Sequence, residues 1–132
     1  MPLSKNIPPD HASLPIGVFD SGIGGLTVLH ALQAHFPQES YLYVGDTARL
    51  PYGTKSPETV MKYAEGITAK IIAHGVKAIV IACNTASTHA LPAVQAMAGH
   101  IPVIGMIDPA AHAALAHTQT GHIGVMATFG TV

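Results

Sequence analysis

The sequence predicts an α/β fold, a parallel sheet with helices on both faces. Three observations carry this. Short β-branched or aromatic runs alternate with helical stretches, strand then helix, four times over. The run Ala78-Ile79-Val80-Ile81-Ala82 is apolar throughout, as in a parallel strand covered on both faces. The stretch Ser56 to His74 carries the marks of a long amphipathic helix, whose apolar positions Val60, Ala64, Ile67 and Ile71 fall on one stripe.

The elements follow in order. Residues 1 to 13, rich in proline, serine and charge, are expected to be a flexible leader. Ile16-Gly17-Val18-Phe19 reads as a strand and Leu26 to His35 as a helix. Tyr41-Leu42-Tyr43-Val44 is the second strand. The Ser56–His74 helix has Ser56 as N-cap, Pro57 at the first helical position, Glu58 in the first turn and Gly75 just past its end. After the Ala78–Ala82 strand, Thr85 to Ala98 is helical, with Gly99 following. Pro102 to Gly105 is a fourth strand. Asp108-Pro109 reads as an N-cap followed by proline, opening another helix. His122 to Ala127 is expected to be a fifth strand. The chain stops at Val132 with no helix to cover that strand, which a finished doubly wound domain rarely does, so a truncated protein is expected.

Composition narrows the classes. In 132 residues, 48% are hydrophobic and only 10% charged, against about 25% charged in ordinary soluble domains. Disordered chains show the opposite balance. His74, Gly75 and Lys77 interrupt the most apolar stretch well short of the roughly 18 residues a membrane span needs. Pro2, Pro8, Pro9 and Asp10 stand where a signal peptide would have its apolar core. A net charge of −1 gives no basic footprint for nucleic acid. One cysteine cannot form an internal disulfide and suits a reducing cytoplasm. The scarcity of charge leaves apolar surface to be covered by a partner, a homo-oligomer or a further part of the protein.

In an open parallel sheet, ligands bind beyond the carboxyl ends of the strands. Those ends carry nearly all the polar, glycine-rich sequence here: Asp20-Ser21-Gly22-Ile23-Gly24-Gly25 after the first strand, Gly45-Asp46-Thr47-Ala48-Arg49-Leu50-Pro51-Tyr52-Gly53 after the second, Cys83-Asn84-Thr85-Ala86-Ser87 after the third and Thr128-Phe129-Gly130-Thr131 after the fifth. The first loop is not the dinucleotide fingerprint, because Thr27 stands where its third glycine belongs. Its Asp-Ser-Gly also occurs in subtilisin-like proteases, but their histidine and serine segments are absent. Two readings stay open for it. One is a glycine turn where backbone passes close to a helix start. The other is an anion site at the start of the Leu26 helix.

Cys83 stands out. A lone cysteine is most often an inert, buried small hydrophobe. Its position argues otherwise, since it ends a buried strand and immediately precedes a helix, whose N-terminus favours the thiolate of a group that titrates near pH 8.5 when unperturbed. Asn84 and Thr85 follow with groups that can orient a polar ligand. Cys83 is therefore expected to be partly exposed at the carboxyl edge of the sheet, with Asp20 nearby and the following helix starting beneath it. The nine histidines are scattered without a metal-binding spacing, so no metal is expected. His89, six residues past Cys83, is a poor candidate for its base.

Taken together, Val18-Phe19-Asp20-Ser21-Gly22-Ile23-Gly24-Gly25, Gly45-Asp46 with Pro51-Tyr52-Gly53, and Ala82-Cys83-Asn84-Thr85-Ala86-Ser87 resemble the bacterial glutamate racemases of the aspartate/glutamate racemase family. The resemblance runs from about Leu14 to Val132. It implies interconversion of L- and D-glutamate without a cofactor, supplying D-glutamate for peptidoglycan, through two cysteines on opposite faces of the substrate. By this resemblance Cys83 is one of the two and Asp20 assists it as a proton acceptor. Ser21, Tyr52, Gly53, Asn84 and Thr85 bind the substrate's carboxylates and amine, and Thr128 and Thr131 match a pair of threonines that holds a carboxylate. The family's second cysteine, in a Gly-Cys-Thr-His segment, has no counterpart here. The resemblance also implies a first α/β domain over 14–107, completed in the family by a C-terminal tail, and the start of a second, similar domain at 108–132. Ile107-Asp108-Pro109-Ala110 departs from the family's usual Glu-Pro-Gly but keeps an acidic residue. Two alternatives remain: a non-catalytic α/β module that binds an acidic metabolite or a protein partner, and a related racemase or isomerase with another substrate.

Overall fold

The structure, a computed structural model, describes residues 9–132. Strands β1 (Ile16–Asp20), β2 (Tyr41–Gly45), β3 (Ala78–Ile81) and β4 (Val103–Ile104) form one parallel sheet in the order β2-β1-β3-β4. Helices α1 (Leu26–His35), α2 (Pro57–Ala73), α3 (Asn84–Ala98) and α4 (Ile107–His117) alternate with them. Phe19 pairs with Val44 on one side and Ile81 on the other, so β1 is a central strand.

The two-residue alternation of strands sorts the core into two layers. Phe19, Ile79 and Ile81 face α2 and α3, where they meet the buried stripe Val60, Ala64, Ile67 and Ile71 together with Ala86, Ala90 and Val94. Val18, Val80 and Ala82 face the other way, under Val28, Leu29 and Leu32 of α1. Helices thus cover both faces of the sheet, as the apolar third strand implies.

Local signals set the helix ends. Ser56 caps α2 by accepting from the Thr59 amide at 3.2 Å, with Pro57 at the first helical position. Gly75 and Gly99, at φ 77° and 62°, supply the left-handed residues at which the chain leaves α2 and α3. Removing the cap in Ser56→Ala is expected to lower stability by about 1 kcal/mol. Chemical denaturation would check this, and an unchanged midpoint would show that Thr59 finds another acceptor.

Pro9–Ser13, within the expected leader, forms a short 3₁₀ turn. Lys77 Nζ donates to the Ala12 carbonyl at 2.7 Å and pairs with Glu39, which ties this turn to the sheet. Residues 1–8 of the expected leader lie outside the described residues. Helix α4 begins one residue before Asp108, with Met106 as its cap position, so Asp108 lies in the first turn, where its charge still complements the helix dipole. Finally, 122–127 does not form a strand. A strand exists through ladder hydrogen bonds to a neighbour, and this segment pairs with none of the described strands and is exposed throughout. No helix among the described residues is long and apolar enough to cross a membrane.

Candidate active site

Strand order fixes where a ligand can sit. The chain runs from β1 outward to β2, then crosses to β3 on the other side of β1. The crevice between the carboxyl ends of β1 and β3 is therefore the topological switch point of the sheet. A cavity of about 580 Å³ lies there. Asp20, Ser21, Cys83, Asn84, Thr85, Thr128 and Thr131 all line it.

The first loop folds around its own aspartate. Asp20 is the last residue of β1 and is 6% exposed. Its Oδ2 accepts from the Gly25 amide at 2.8 Å and from the Gly22 amide at 3.2 Å. The anion at the start of α1 is thus the chain's own carboxylate, which resolves the two open readings of this loop. A Cβ on Gly25 would lie 2.6 Å from Asp20 Cβ, so the turn needs glycine there for close approach. Tyr43 Oη supports the loop from β2 by donating to the Gly22 carbonyl at 3.2 Å. Burial, and then the Asp20 charge, push the Tyr43 hydroxyl pKa up, which keeps it a donor.

Cys83 follows β3 and is the N-cap of α3. Its Sγ accepts from the Ala86 amide at 3.4 Å and lies 3.5 Å from Ser21 Oγ. That places Ser21 beside the sulfur and joins the first and third loops. The expected partial exposure is corrected, since Cys83 is only 6% exposed and packs into the main core. The cap bond to Ala86 holds the side chain against the helix start, where Cys83 also lines the cavity. Asn84 is exposed at the rim. Thr85 Oγ1 lies 3.0 Å from Thr128 Oγ1 and 3.2 Å from Thr131 Oγ1, which are 3.1 Å apart. Three hydroxyls so placed satisfy one another in a ring, and each can turn its proton toward an incoming carboxylate. His89 has its Nε2 against Gly130 in the turn that carries the threonine pair.

Tyr52 and Gly53 lie in the short turn Tyr52–Thr54 on the loop after β2. Neither lines the cavity. Tyr52 is 1% exposed, and its hydroxyl donates to Asp46 Oδ2 at 2.5 Å. Burial first, and then this bond, raise its pKa far above the usual phenol range. Gly53 abuts the threonine wall, where an added Cβ would lie 2.5 Å from Thr128 Cγ2. Sequence reasoning gave no role to Asp46, although an acid in a polar loop with Arg three residues on and Tyr six on is a signal of local pairing. The apolar part of the cavity, including Leu50, Pro51, Met106 and Met126, was also missed, because single apolar residues in loops carry no periodic signal.

Comparison with known proteins agrees with this geometry. The family model described as Asp/Glu/Hydantoin racemase matches residues 26–132. The glutamate racemase of Chlorobium phaeobacteroides is 53% identical over 118 residues, covering 89% of this chain and 43% of that protein. That of Syntrophus aciditrophicus is 47% identical over 130 residues, covering 98% of this chain and 47% of its own length. Among solved structures, a glutamate racemase of Bacillus anthracis superposes with a TM-score of 0.87 at 45% identity, over 92% of this chain and 45% of that one. The Francisella tularensis enzyme, solved with D-glutamate, gives a TM-score of 0.75 at 49% identity, over 77% of this chain and 39% of that one. The chain spans less than half the length of the curated relatives it matches. Strand order, the loops that meet at the switch point and these similarities agree that the chain belongs to the Asp/Glu/hydantoin racemase family.

Proposed function

We propose that this chain carries one proton-transfer half of a glutamate racemase active site. The observation that supports it most is that Cys83 lines the switch-point cavity with its sulfur beside the Ser21 hydroxyl, in a cavity that Asp20 also lines. Glutamate fits the polar groups present: the threonine ring of Thr85, Thr128 and Thr131 for a carboxylate, and Ser21 and Asn84 for the remaining carboxylate or the amine. The Cys83 thiolate takes the α-proton; the Cα–H electron pair stays on the carbon and spreads into the α-carboxylate. A proton returned to the opposite face completes inversion, and the family resemblance assigns that step to a second thiol. Asp20 Oδ2 is engaged by the loop, so Oδ1 is the oxygen left to serve as proton acceptor beside the reacting centre.

In this reading residues 14–107 form the first of two domains, and 108–132 open the second. The product serves peptidoglycan synthesis, and with it the cell wall and cell shape, in the cytoplasm.

Cys83 is the sole cysteine, so alkylation reads it without ambiguity. Saturating L- or D-glutamate is expected to slow its modification by iodoacetamide, by about tenfold at ten times the dissociation constant. Equal rates with and without glutamate would remove the shared site. Protection by another dicarboxylate or by aspartate, with none by glutamate, would favour a relative with a different substrate.

A further inference from the structure

We propose that Asp46 is a positioning residue for this site, holding the 49–53 loop so that Gly53 bears on the threonine wall. The proposal rests on the reading of the cavity as a glutamate site.

Asp46 is 8% exposed and does not line the cavity. A buried carboxylate must be compensated, and both of its partners are on its own loop. Tyr52 Oη donates to Oδ2 at 2.5 Å, and Arg49 Nε pairs ionically with the same oxygen at 2.7 Å. The guanidinium carbon of Arg49 sits 4.2 Å from the Tyr63 ring centroid on α2, and the Tyr52 and Tyr63 rings are 5.6 Å apart. Arg49 is 41% exposed, so its ion pair is screened by solvent and adds little. The bond to fully buried Tyr52 is the stronger anchor, because a buried donor left without an acceptor bears its whole desolvation cost.

The two ends of this anchor meet the site from different sides. The Asp46 amide donates to the Asp20 carbonyl at 2.9 Å, continuing the β1–β2 ladder to the residue whose carboxylate faces the cavity. Tyr52 is followed directly by Gly53, which has room for no Cβ against Thr128. Between them the chain turns at the cis Leu50–Pro51 bond, and both of those residues wall the cavity. Asp46 therefore fixes the spacing between the Asp20 loop and the threonines without touching a ligand.

The test compares Asp46→Ala, Asp46→Asn and Tyr52→Phe with the unsubstituted 132-residue chain, by amide hydrogen exchange and by NMR titration with glutamate. Losing the Tyr52 bond is expected to speed exchange at 47–55 and 128–131 by about tenfold or more, and to weaken glutamate binding by a similar factor, with α2 and β3 amides unchanged. Asp46→Asn, which retains an acceptor for Tyr52, should fall between wild type and Asp46→Ala. If Asp46→Ala unfolds outright, Asp46→Asn and Tyr52→Phe decide. Unchanged exchange in both segments, or uniform acceleration across the whole sheet in all variants, overturns the proposal. If the unsubstituted chain binds no glutamate, the functional reading fails, while the exchange pattern still judges Asp46.

Discussion

Replacing Cys83 with alanine is expected to abolish the exchange of glutamate's α-proton with solvent deuterium, which the unsubstituted chain should catalyse for one enantiomer only. Cys83 presents its sulfur from beneath one side of the cavity, at the cap of α3. A thiol there reaches one face of a bound α-carbon. Removing a proton from that face and returning one to the same face exchanges the hydrogen and keeps the configuration. Inversion by this group alone would require the carbanion to turn over inside the site, against the grip proposed for Ser21, Asn84 and the three threonines. The 132-residue chain is therefore expected to show exchange without racemisation. Loss of a positioned general base lowers such a rate by about 100- to 10,000-fold. Proton NMR in deuterium oxide follows the exchange, and circular dichroism follows L-to-D conversion. Exchange that survives Cys83→Ala would remove the cysteine from the chemistry. Racemisation by the unsubstituted chain, lost in Cys83→Ala, would sink the two-thiol argument. Racemisation that appears only after adding a polypeptide with the remaining length of a curated relative would support it.

What the sequence disclosed, and what it hid, follows from how local each feature is. Helix α1 runs over the expected Leu26–His35, and α2 ends where Gly75 predicts, because periodicity and caps are read within a few residues. The meeting of Asp20, Ser21, Cys83 and Thr85 was legible too, since strand ends on one edge of a parallel sheet must converge. The expected 122–127 strand failed because propensity supplies no partner for its backbone. Side-chain direction in loops was equally hidden. Tyr52 has a residue type suited to binding a substrate, yet it turns inward to Asp46, and only the packed structure shows which way an irregular loop aims its groups. The depth of Cys83 comes from its packing into the main core, which no spacing rule specifies.

In the proposed reading Asp20 carries two tasks, which two substitutions should separate. In Asp20→Ala the Gly22 and Gly25 amides lose their shared acceptor while remaining buried. Stranding both donors is expected to lower stability by about 2–6 kcal/mol, at roughly 1–3 kcal/mol for each unsatisfied group. The turn into α1 should loosen with them, and with it the wall that holds Ser21 beside the sulfur. Asp20→Asn presents an amide oxygen to the same two donors, so its denaturation midpoint should stay close to wild type. It cannot accept a proton as a carboxylate does, however, so exchange at glutamate's α-carbon should still fall by about 10- to 100-fold. Wild-type exchange in a stably folded Asp20→Asn chain would leave Asp20 with a purely structural task. Equal destabilisation by both substitutions would mean that the loop is held by the negative charge itself, because geometry alone is preserved in the asparagine. A stable, slow Asp20→Asn beside an unstable Asp20→Ala is the result that assigns one oxygen to the fold and the other to the proton.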